Sequence, residues 1–181
     1  MTPTSTADPW EWGLTDSLAM HFEREHDFAG TVERVASIMS DPGFQTQLDL
    51  PDLARPDVVA HEVDGASHRL TLRYAYIGQL DPIARRVVGS RKLTWVQDLR
   101  IDASTGAGTL GFSADGVGGR ADGSATVTLT TTGAESCRRV ISGDFRIKIP
   151  LLGGKAEQAI VPGLARRLDV EADAVAAELA R

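Results

Sequence analysis

A strand-like run from Cys137 to Pro150 passes through Leu151-Leu152-Gly153-Gly154 into a long amphipathic stretch that continues to Arg181. That stretch sets Ile160, Leu164, Leu168, Val175 and Leu179 on one stripe, spaced by fours with one step of seven, which is helical periodicity and not strand alternation. A helix with a single apolar stripe, tethered by two glycines to the strand before it, needs a sheet to lie against. The pattern implies a curved sheet gripping a helix, with room between them for an apolar ligand.

The upstream chain supplies the sheet. Leu18 to Phe28 alternates, with Leu18, Met20, Phe22, Arg24, His26 and Phe28 on one face and charged residues on the other, which predicts a first strand. Thr31 is placed to cap a helix over Val32 to Met39, and Asp41-Pro42-Gly43 ends it before a short helical turn at Phe44 to Leu48. Strand patterns follow at Val58–Val63, Arg69–Ile77, Leu93–Ile101, Gly108–Ala114, Ser124–Thr131 and Cys137–Ile149, with Leu80 to Gly89 as a connector. The spacing therefore predicts an α+β fold. One seven-stranded antiparallel sheet in meander order is apolar on one face and covered there by the closing helix, with two short helices after the first strand. Residues 1–16 are rich in Thr, Ser and Pro and read as a loose leader, Trp10 and Trp12 included. The domain is expected over 17–181.

Composition narrows the function. The net charge is −6 and the basic residues are not concentrated, which disfavours nucleic acid as a partner. The lone Cys137 excludes an intramolecular disulfide and fits a reducing compartment. No apolar run approaches the length of a membrane span, and the first residues lack the regions of a signal peptide, so the expected location is the cytosol.

The chemical motifs mostly dissolve on inspection. Gly106 to Gly111 matches GxGxxG, but Phe112-Ser113-Ala114-Asp115-Gly116 cannot open a helix, so a hairpin turn is expected. His21 and His26 are five apart on a strand, the wrong spacing for two metal ligands on one face, and His61 and His68 have no companions at ligand spacing. No metal site is expected. No nucleophile elbow or Ser-His-Asp set can be assembled, and no catalytic residue is assigned. Leu151-Leu152-Gly153-Gly154-Lys155 lacks the Ser/Thr of a phosphate loop and reads as a strand-to-helix turn.

A pocket can nonetheless be drawn. Its walls are Phe22, Leu72, Tyr74, Tyr76, Trp95, Phe112 and Phe145 from the strands and Ile160, Leu164 and Leu168 from the helix. Two tyrosines among them need hydroxyl partners, which suits a partly hydrated cavity better than a dry core. Arg24 and His26 are the polar anchors, placed by alternation on the apolar face and suited to holding an anionic or hydroxylated head group.

The entry FEREHDFAGTVERVASIMSDPGF and the exit GDFRIKIPLLGGKAEQAIVPGLARRLDVEADAVAAEL resemble the START/Bet v 1-like helix-grip superfamily (SRPBCC) and, within it, the DUF2505 family. The resemblance spans about Leu18 to Arg181. It implies a cavity between a seven-stranded antiparallel sheet and the C-terminal helix, used for lipids, sterols, polyketides or other apolar molecules. The superfamily includes cyclases and hydrolases as well as carriers, so the fold leaves activity open. The expectation is a cytosolic protein that binds a small hydrophobic ligand without a cofactor. Two alternatives stand beside it. One is a cyclase- or hydratase-like enzyme with His26 or Tyr74 as acid or base; the other is an interaction module whose cavity is filled by its own side chains.

Overall fold

The computed structural model describes residues 19–79, 82, 85–86, 92–115, 121–148 and 153–181. The chain forms β1 (Met20–Phe28), α1 (Val32–Met39), α2 (Pro42–Gln47), β2 (Asp57–Asp64), β3 (Ser67–Ala75), β4 (Thr94–Asp102), β5 (Ala107–Ala114), β6 (Ala121–Gly133), β7 (Ser136–Ile147) and α3 (Gly153–Leu179). The expected leader, most of the Leu80–Gly89 connector and Ile149–Leu152 lie outside the described residues.

The two short helices owe their boundaries to capping. The Thr31 hydroxyl accepts from the Arg34 amide at 3.3 Å and opens α1. The Asp41 carboxylate accepts from the amides of Gly43 (2.6 Å) and Phe44 (3.1 Å), with Pro42 pre-set in the first turn of α2. The segment read as a helix breaker thus ends one helix and caps the next.

All seven strands pair antiparallel in the order β1-β7-β6-β5-β4-β3-β2. β2 to β7 form the expected meander. β1 pairs with β7 and not with β2, so α1 and α2 carry the chain from one edge of the sheet to the other. α3 packs on β1 and β7 and touches α1. Val161, Ala165, Leu168, Ala172, Val175 and Leu179 of α3 are buried in one cluster with Phe22, Phe28, Leu99, Ile101, Leu110, Val127, Leu129 and Ile141 of the sheet. Leu50, Leu70, Leu72 and Tyr74 form a second cluster near β2.

Gly106 occupies the turn between β4 and β5 with φ 73°, and a side chain there would stand 2.2 Å from the Leu129 carbonyl oxygen. The GxGxxG match therefore leads into a strand, as expected of a hairpin. Buried Cys137 begins β7, where burial first and Asp27 second push its thiol pKa up, so it is held as a thiol.

Asp98 of β4 accepts hydrogen bonds from Arg69 (2.9 Å) and Thr71 (2.8 Å) of β3 and from Arg100 (2.9 Å). Burial acts to raise its pKa, but the bonds from Arg69, Thr71 and Arg100 outweigh it and hold the carboxyl below its ordinary value. A depressed folded-state pKa contributes stability above the unfolded value of about 3.9 and loses it as pH falls through the folded value. Asp98→Asn is expected to be less stable than the parent at pH 7, with the gap closing below about pH 3.9. Urea unfolding at several pH values measures this; a gap independent of pH would refute it.

Candidate functional site

At one end of the sheet, β-strand ends and the first half of α3 leave space unfilled. A cavity of about 380 Å³ lies there, bounded by Leu53, Tyr76, Leu93, Trp95, Phe112 and Phe145, with Pro162, Gly163 and Leu164 of α3 across from them. Pro51, Asp52, Gln79, Ser113, Ala114, Ala121, Arg166 and Arg167 complete the lining. The register explains why these residues meet. Trp95 stands opposite Ala114, and Phe112 opposite Gly123, which in turn stands opposite Phe145. Gly123 is needed in that row, because a Cβ there would lie 2.7 Å from the Phe145 ring. The missing side chain is what lets Phe112 and Phe145 flank it.

The aromatic wall is fixed from behind. Trp95 stacks on Tyr74 at 5.5 Å between ring centroids and 16° between planes, and Phe112 meets Phe22 edge-on at 6.5 Å. The Tyr76 hydroxyl donates to the Gln79 carbonyl at 3.3 Å. Asp52 sits at the rim with φ 62°, a left-handed backbone that Asp tolerates better than most residues.

Of the pocket residues expected from the sequence, Tyr76, Trp95, Phe112, Phe145 and Leu164 come together around the cavity. Phe22, Leu72, Tyr74 and Leu168 are buried in the core and support it without lining it. The side chain of Ile160 lies outside the described residues.

Arg24 and His26 do not line the cavity. Alternation put them on the face that meets α3, and there they are: His26 Nε2 lies 3.0 Å from Asp169 Oδ1, and Arg24 Nε lies 3.3 Å from the same oxygen. They stand too far along the strand. His26 is opposite Arg139 and Met20 is opposite the cavity-lining Phe145, six residues apart on β1, or about 20 Å. Arg139 Nη2 donates to His26 Nδ1 at 3.2 Å, so the imidazole proton is on Nε2 and directed at Asp169. His26 is consumed in a structural network between β1, β7 and α3.

That network contains charges buried inside the apolar layer. Arg139 is fully buried, and Arg167 and Glu171 are 6% and 4% exposed. Arg139 also donates to the Leu168 carbonyl at 3.1 Å and lies over the Phe28 ring. Its ion pair with Glu171, at 3.9 Å, is too long for a hydrogen bond. Glu171 accepts from Gln45 at 2.8 Å. Burial pushes the Arg139 pKa down, with Glu171 acting against it. At the cavity end, Arg167 donates to Gln97 Oε1 at 2.5 Å and to the Tyr74 hydroxyl at 2.7 Å, with its guanidinium over the Tyr74 ring. Burial raises the Tyr74 pKa and Arg167 pulls it back only in part, so the phenol keeps its proton. Helical spacing was the available signal: Leu164, Arg167, Leu168, Glu171 and Val175 fall on one face of α3, and Arg139 alternates inward with Cys137 and Ile141.

Among the described residues no group of three or more His, Cys, Asp and Glu side chains is gathered as a metal site, and no helix is long and apolar enough to cross a membrane.

A family model described as a protein of unknown function (DUF2505) matches residues 23–179. No curated protein matches the sequence. Similar solved structures include the Zhui aromatase/cyclase of Streptomyces sp. R1128, 17% identical with TM-score 0.61 over 90% of this chain and 94% of that one. Norcoclaurine synthase from Thalictrum flavum is 15% identical, with TM-score 0.59 over 100% of this chain and 99% of that one. A START superfamily protein from Mycobacterium smegmatis is 14% identical, with TM-score 0.53 over 88% and 96%. At these identities the likeness is one of fold, and the fold is the START/Bet v 1-like helix grip expected from the sequence.

Proposed function

The chain belongs to the DUF2505 family, and from that premise we propose that it binds one small hydrophobic molecule between the sheet and α3, in the cytosol. The observation that carries this reading is the cavity: it is present and walled by four aromatic rings with aliphatic groups opposite. About 380 Å³ is near the lower end of the range for small-molecule sites. A compact polyketide-like or steroid-like ring system, or one acyl chain, fits that scale. An open cavity counts against the module whose interior is filled by its own side chains. Against an acid–base enzyme stands the position of the histidine. His26 is about 20 Å away along β1, and Tyr74 is a buried phenol engaged by Arg167. The enzyme reading draws on the names of two fold neighbours, a cyclase and a synthase, and on no acid–base pair among the described residues of this cavity.

Native mass spectrometry of freshly purified protein is expected to reveal a co-purified apolar molecule. N-phenyl-1-naphthylamine is expected to bind the folded protein one to one and to change the fluorescence of Trp95. Leu164→Arg should abolish that binding at a cost of only a few kcal/mol, since Leu164 is half-buried beside a cavity in which a charge stays partly hydrated. Probe binding confined to the acid-unfolded state would remove the proposal.

A further inference from the structure

Among the described residues, three side chains between sheet and helix carry charge with almost no access to water: Arg139, Arg167 and Glu171. Their sum is one positive charge. Glu171 is the buried carboxylate of the group, and it is engaged by Arg139 and Gln45. Among the described residues Arg167, one turn before Glu171 on α3, donates only to neutral oxygens, those of Gln97 and Tyr74, and its Nε has no hydrogen-bond partner there. A guanidinium left buried without its own counter-charge is costly and is retained where something else supplies the anion. Arg167 is also the one member of the three that lines the cavity. The other charged groups in the lining, Asp52 and Arg166, are exposed at the rim, where water screens them.

We propose that the ligand carries an anionic head group, a carboxylate or its equivalent, that pairs with Arg167 while its apolar body lies against the aromatic wall. This rests on the binding role proposed above and narrows it to amphiphilic acids. The position makes sense chemically. A planar guanidinium held by Tyr74 and Gln97 is pre-oriented, so little side-chain freedom is lost when an oxyanion docks on it. Desolvated surroundings strengthen the pairing.

Two probes with the same ring system separate the possibilities: 8-anilino-1-naphthalenesulfonate and its neutral counterpart N-phenyl-1-naphthylamine. The wild-type protein is expected to bind the sulfonate at least about tenfold more tightly, the scale of a buried charge-assisted contact. Arg167→Met should abolish that preference, whereas Arg166→Met should leave it intact. Should Arg167→Met lose its cooperative thermal transition, Arg167→Gln and a wild-type competition supply the answer. In the competition, decanoate should displace the neutral probe at lower concentration than decanol. Equal affinity for the two probes in wild-type protein, or a preference that survives loss of Arg167 or disappears with Arg166, overturns the inference while leaving the cavity a neutral-ligand site. Failure of both probes to bind the folded protein removes the binding role itself.

Discussion

Removing residues 153–181 is expected to leave a chain with no cooperative thermal transition. Val161, Leu168, Val175 and Leu179 are buried in the main core, and Leu168 and Val175 are without exposed surface. Burial of such side chains contributes about 1.5–3 kcal/mol each, so the four together approach the whole net stability of a typical domain, about 5–15 kcal/mol. The loss goes further than area. Without α3 the apolar face of the sheet is open to water, and Arg139 loses the Leu168 carbonyl and Glu171 together. Scanning calorimetry with near-ultraviolet circular dichroism is the check. A truncated protein with a sharp transition close to that of the full chain would falsify the account of α3 as the second layer of the domain.

Glu171→Ala should cost about 3–5 kcal/mol, the scale for removing one partner of a buried ion pair. The side chain is 4% exposed, and its loss leaves Arg139 and Arg167 as two buried guanidiniums with no buried carboxylate among the described residues. It also orphans Gln45, whose amide donates to Glu171 and to the Met39 carbonyl and so ties α2 to the end of α1 and to α3. The double variant Arg139→Met/Glu171→Leu is expected to be more stable than Glu171→Ala, because both charges leave the interior together and similar volumes replace them. Denaturant unfolding of the two single variants and the double gives the coupling directly. A Glu171→Ala protein within about 1 kcal/mol of the parent would show that solvent reaches these charges after all.

Local pattern carried most of the fold. Thr31 and Asp41 mark helix starts by chemistry that acts over three residues, and α1 runs over the span that its apolar spacing predicts, Val32 to Met39. Alternation likewise told which residues of β1 face α3. It could not tell how far along the sheet each lies relative to the cavity, because a strand's period of two repeats identically from end to end. Arg24 and His26 therefore lie on the face that alternation predicts and at the end of β1 away from the cavity. The pairing of β1 with β7 depends on contacts more than a hundred residues apart, for which no short-range signal exists. Arg139, Arg167 and Glu171 escape the pattern for a different reason. A charged residue in an apolar stripe reads as an imperfection of the pattern, and only its register neighbours reveal that the pattern holds and the charge is inside.

Pro162 gives α3 two mechanical halves. With no N–H to offer, it leaves the Gln158 carbonyl without its donor in the helix, and Gly163 beside it weakens the same turn by about 1 kcal/mol. Beyond this joint, Ala165 to Leu179 are anchored in the core; at the joint itself, backbone and Leu164 form the cavity wall. The turn that resists bending least is thus the one that borders the cavity. Widening the cavity and melting the domain then have separate energetic scales, so the cavity wall can give while the layer of helix that holds the protein together remains shut.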